Sequence, residues 1–106
     1  MKYVVDIDGT ICDWEPGREY SLAHPNRDRI AKLNQLYDEG HEIHYWTARG
    51  SGSGKDWREF TKNQLKEWGV KATSINCGKP MYDVWIDDKA VSDGEYFWYG
   101  PKGIRK

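Results

Sequence analysis

The apolar run Tyr3-Val4-Val5 ends in two aspartates, Asp6 and Asp8, one residue apart and followed by Gly9 and Thr10. Side chains alternate along a strand, so Asp6 and Asp8 share a face. The run predicts a strand over residues 2–7, covered on both faces as in a parallel sheet. Two like charges about 4 Å apart repel by about 4 kcal/mol at an effective dielectric near 20. A chain that keeps this pair at a strand end therefore needs a cation or a set of donors beside it.

The rest of the chain repeats the pattern of strand then helix. Pro25-Asn26 starts a helix whose apolar stripe is Ile30, Leu33, Leu36 and Tyr37, and Gly40 stands where a left-handed cap belongs. Residues 41–47 read as a second strand with Ile43, Tyr45 and Thr47 on one face. The stretch ARGSGSGKD is a loop into a second helix, whose stripe is Trp57, Phe60, Leu65 and Trp68 and whose end is Gly69. Residues 70–75 and 82–86 read as a third and a fourth strand, Pro80 suits the first turn of a short helix, and the aromatic tail from Gly94 suits a final short strand or a packing flap. The predicted class is α/β, one domain over residues 1–106, with a parallel sheet and right-handed crossovers. Such sheets bind ligands at the carboxyl ends of their strands.

Sixteen basic residues face seventeen acidic ones, a net charge of −1, so no global field draws the chain to nucleic acid or to a membrane surface. No run reaches transmembrane length, and the chain enters a strand without a signal-peptide core. Cys12 and Cys77 form no disulfide framework. These features predict a cytoplasmic domain with reduced thiols.

Polar residues collect where the predicted strands end: Asp6 and Asp8 with Gly9 and Thr10 after the first, Thr47 and Arg49 at the second, Lys79 after the third, and Asp87-Asp88 after the fourth. Four carboxylates at one sheet edge call for a hard divalent cation, and Mg²⁺ suits an oxygen donor set that leaves room for a phosphate. No His or Cys cluster points to zinc. The Thr47 hydroxyl, the amides of Gly9 and Thr10 and the Lys79 ammonium supply donors for an anion, so the set reads as a phosphoryl-transfer site.

In these motifs, DIDGT over residues 6–10, Thr47, Lys79 and Asp87-Asp88, the chain resembles the haloacid dehalogenase (HAD) superfamily of aspartate-nucleophile phosphatases, over about residues 3–91. The resemblance implies a Rossmann-like three-layer sandwich and a Mg²⁺-dependent phosphomonoesterase. It implies that Asp6 is the nucleophile, that Asp8 is the general acid and then the general base, and that Thr47 and Lys79 hold the phosphoryl group. Asp6, the backbone carbonyl of Asp8 and the pair Asp87/Asp88 would bind Mg²⁺, with Asp88 favoured as the direct ligand. Residues 9–46 and 48–78 are each filled by a helix and a strand, so no cap domain fits, and the chain is similar to the capless subgroup with its open sites. WTARG, GKP and IDD together are similar to small HAD proteins of surface-polysaccharide or sugar-phosphate metabolism.

Other residues have two readings each. Arg49 is either a phosphate ligand or a solvated charge. Trp14 and His24, in the loop after the first strand, either touch substrate or pack. A P-loop reading of GSGSGKD fails, because Gly50 and Gly54 enclose three residues and Asp56, not Ser or Thr, follows Lys55. The expected partner is a phosphorylated small molecule, particularly a sugar phosphate. A nucleotide or a nucleic-acid end is the rival substrate, admitted by an open site and not favoured by the net charge. A non-catalytic phosphate- or partner-binding module, transfer to an acceptor other than water, and assembly of subunits all remain open at this level.

Overall fold

The computed structural model describes residues 1–15, 17 and 19–99, with side chains as far as Phe97. Its elements are β1 (Lys2–Val5), a 3-10 turn (Tyr20–Leu22), α1 (Arg27–Asp38), β2 (Glu42–Trp46), α2 (Arg58–Glu67), β3 (Ser74–Asn76) and α3 (Asp93–Tyr99). The three strands form a parallel sheet in the order β1-β2-β3. Tyr3 lies opposite Ile43 and Val5 opposite Tyr45, while Tyr45 in turn lies opposite Ile75. All three strands therefore end at one edge, where the polar residues were expected.

Capping chemistry sets the two long helices. The side chain of Asn26 accepts from the backbone N–H of Arg29, which fixes the start of α1. Gly40, at φ 97°, ends it: the N–H of Gly40 donates to the Tyr37 carbonyl and that of His41 to the Leu36 carbonyl. Gly69 repeats the motif after α2, with Gly69 donating to Lys66 and Val70 to Leu65. The helices bring Ile30, Leu33, Leu36 and Leu65 onto Val5, Ile7, Ile11, Ile43 and Tyr45, and these residues make the core. Among the described residues no helix is long and apolar enough to cross a membrane.

Several expectations need correction. Val4 is 65% exposed, so β1 is covered on one face rather than two. β1 is an edge strand, and residues 82–86 form no strand: Val84 and Ile86 stand exposed, and Trp85 instead meets the ring of Trp46 edge-on. No short helix follows Pro80. The aromatic tail forms no strand over its described residues 94–99: these lie in the helix α3, which packs Tyr96 against Tyr3 and Phe97 against the core, and residues 100–106 lie outside the described residues. The buried residues of α2 are Thr61, Gln64 and Leu65, two of them polar, while Trp57, Phe60 and Trp68 are half-buried.

Candidate active site

Asp6 and Asp8 lie just beyond β1, where a tight turn holds them. The N–H groups of Thr10 and Ile11 both donate to the Ile7 carbonyl at 3.0 Å, and Gly9, at φ 83°, donates to the Cys12 carbonyl. The turn brings the Thr10 hydroxyl to 3.5 Å from Asp6 Oδ2. The two carboxylates then take different partners. Lys79 Nζ is 3.3 Å from Asp6 Oδ1. Arg49 grips Asp8 with two bonds, Nε to Oδ2 at 3.0 Å and a terminal nitrogen to Oδ1 at 2.9 Å. Like charges at one strand end are thus each neutralised by a separate cation.

Burial pushes the carboxyl of Asp6 above its ordinary pKa, and the nearby Lys79 ammonium opposes that rise. Lys79 reaches Asp6 because its backbone N–H donates to the Thr47 carbonyl, which pins the loop after β3 to the end of β2. The rings of Tyr82 and Trp85 lie beneath its ammonium, at 5.2 and 5.9 Å. Thr47 is buried, and its hydroxyl oxygen accepts from the Arg49 N–H at 3.1 Å.

Asp6 thus meets Thr10 and Lys79, Thr47 is tied to Lys79 through the backbone, and Asp8 stands two residues beyond Asp6. The N–H groups of Gly9 and Thr10, expected as donors for an anion, are instead bonded to the Cys12 and Ile7 carbonyls. Arg49 does not take its expected place as a phosphate ligand. It is 2% exposed, and besides Asp8 it donates to Thr61 Oγ1 at 3.3 Å and Gln64 Oε1 at 2.8 Å, with the Tyr20 ring 4.5 Å away. Tyr20, Thr61 and Gln64 escaped sequence reasoning. A signal for Thr61 and Gln64 was present, since with Trp57 and Trp68 they share one helical face at spacings of three and four residues.

Asp87 and Asp88 are not brought to Asp6 and Asp8. They stand exposed, and the Lys89 N–H donates to Asp87 Oδ1 at 2.7 Å, which lowers the Asp87 pKa. Among the described residues no group of three or more His, Cys, Asp or Glu is arranged to hold a metal. The expected four-carboxylate centre is thus not assembled: the segment before Asp87 forms no strand, and its Trp85 lies against Lys79 and Trp46.

An open cavity of about 700 Å³ adjoins the site. Its wall includes Thr10 and Cys12, whose side chains touch Asp6 and Asp8. It continues through Trp14, half exposed, and the pair Asp13–His24, bonded at 3.1 Å between Oδ2 and Nδ1.

No family model matches the chain, and no curated protein matches it. Among solved structures it is similar to a structural-genomics target from Vibrio cholerae, at 28% identity and a TM-score of 0.76, over 89% of this chain and 85% of that one. The likeness extends over nearly all of both chains and shows the same α/β arrangement.

Proposed function

We propose that the chain is a capless HAD-type phosphomonoesterase with a Rossmann-like three-layer fold, acting in the cytoplasm on a small phosphorylated metabolite such as a sugar phosphate. One observation carries the reading: two carboxylates at the end of one strand lie in unlike environments, Asp6 beside an ammonium and Asp8 in the fork of a guanidinium. Carboxylates with separate environments suit separate roles. A binding module would gain nothing from a second carboxylate beside an anion site.

In the proposed reaction an oxygen of Asp6 attacks phosphorus, forming an aspartyl-phosphate as the bond to the leaving oxygen breaks. Asp8, as the acid, gives that oxygen its proton. Water then attacks the same phosphorus while Asp8 takes its proton, and the Asp6–phosphorus bond breaks to give inorganic phosphate. The Thr47 hydroxyl and the Lys79 ammonium steady the phosphoryl oxygens. A leaving group of sugar size fits the cavity beyond Thr10, where Trp14 offers an apolar face and Asp13 and His24 offer polar groups.

Mg²⁺ would supply further neutralisation of Asp6 and phosphate. Its proposed ligands are Asp6, the Asp8 carbonyl and the pair Asp87/Asp88. The last two stand exposed and would have to approach Asp6 for this.

The test is phosphate release from sugar phosphates, nucleotides and 3′-phosphorylated oligonucleotides, with Mg²⁺ or EDTA, for wild type and Asp6→Asn. The reading expects release that needs both Mg²⁺ and Asp6, and fastest with a sugar phosphate. Release unaffected by Asp6→Asn contradicts it.

A further inference from the structure

We infer that Arg49 is a positioning residue that sets the carboxyl of Asp8 for proton transfer to the leaving oxygen, and that Tyr20, Thr61 and Gln64 set Arg49. The inference rests on the phosphatase reading and adds to it a network that lies behind the reacting atoms. Its first ground is geometry. The guanidinium meets both oxygens of Asp8 at 2.9 and 3.0 Å, a planar fork that fixes the rotation of the carboxyl as well as its position. The thiol of Cys12 adds a contact to Oδ1 at 3.6 Å.

The second ground is where the fork is anchored. The side chain of Arg49 is fully buried, while that of Asp8 keeps 15% exposure, so the cation lies behind the carboxyl, away from solvent. Its remaining terminal nitrogen is spent on Thr61 and Gln64 of α2, and the ring of Tyr20 lies against its plane. Gln64 also donates from Nε2 to the Tyr20 carbonyl at 2.7 Å, closing a circuit between α2 and the loop after β1. Four of its five N–H donors are committed to Asp8, Thr61 and Gln64, and its burial keeps it from substrate.

The third ground is the cost of the arrangement. A buried cation with two polar helix residues turned inward is a poor way to fill a core, since apolar side chains of similar volume often serve as well or better. The network has a reason if a carboxyl that must both give and receive a proton is to be held at a fixed angle. Oδ2, which takes only the Arg49 Nε–H, keeps a lone pair outside the fork for that proton, while Oδ1 also takes the Cys12 thiol.

Leaving-group dependence tests this. p-Nitrophenolate leaves with little help from an acid, whereas an alkoxide needs the proton. kcat/KM reports the first chemical step, so the ratio of kcat/KM on glycerol phosphate to that on p-nitrophenyl phosphate reads the acid alone. Arg49→Lys, which keeps the charge and loses the fork, is expected to lower this ratio about a hundredfold, within the range of general acid catalysis. Gln64→Leu and Tyr20→Leu, which keep Arg49, are expected to lower it in the same direction by less, and they carry the test if Arg49→Lys does not fold. In an Asp8→Asn background Arg49→Lys is expected to leave the ratio unchanged. Equal losses on both substrates in an active enzyme would overturn the inference while leaving the phosphatase reading intact. Failure of the wild type on both substrates would overturn the two together.

Discussion

Asp8 with Arg49 and Asp6 with Lys79 make two ion pairs, each joining residues that lie far apart along the chain. The carboxylates and Lys79 could be picked out as site residues from their positions after strands. Arg49 could be picked out too, but not its direction, because a residue number does not say whether a guanidinium faces solvent or core. Two other buried groups yield predictions at this scale. Tyr45 is fully buried, and its hydroxyl has no hydrogen-bond partner among the described residues. An unpaired buried hydroxyl costs about 1–3 kcal/mol, so Tyr45→Phe is expected to raise the melting temperature. Burial pushes the thiol of Cys12 from 9.0 up to about 12. The folded chain thus holds this proton more tightly than the unfolded one. Stability is expected to fall as pH rises from about 9 toward 12, followed by urea unfolding at several pH values, and Cys12→Ser is expected to flatten that fall. At pH 8 a thiol reagent should modify the less buried Cys77 first and Cys12 only on unfolding.

Elements defined by local chemistry were legible, and so were three strands of the sheet; the fourth, at residues 82–86, was not formed. α1 begins at Asn26 and ends at Gly40, and α2 ends at Gly69, as the sequence implies, because a cap is made by residues within one turn of it. Asn26→Ala should therefore destabilise the protein by about 1 kcal/mol, read from its urea midpoint. Residues 82–86 have the composition of a strand, yet Trp85 and Tyr82 find aromatic and cationic partners near Lys79 instead. Apolar β-branched residues state a preference for a sheet but not which edge, and no edge took them. The polar stripe positions Thr61 and Gln64 were obscured for a related reason: a helix face shows that it is buried, not that a guanidinium is what it covers.

At the scale of the molecule, three parallel strands gather their ends at one edge, and the helix starts and loops around that edge carry the charge. The class and the location of the candidate site follow from alternation of strand and helix, which the sequence displays. The separation of Asp87-Asp88 from Asp6 depends on where an exposed segment lies, which alternation cannot state. The central claim is that Asp6 is phosphorylated. Asp8→Asn, which lacks the base for the second step, should accumulate the intermediate when given p-nitrophenyl phosphate and Mg²⁺, since that leaving group needs no acid. After acid quenching, digestion and mass spectrometry, the account predicts one added phosphoryl group on Asp6 in the peptide containing residues 3–10. An unmodified peptide in a variant that still releases p-nitrophenolate, or a phosphoryl group on any other residue, would contradict it.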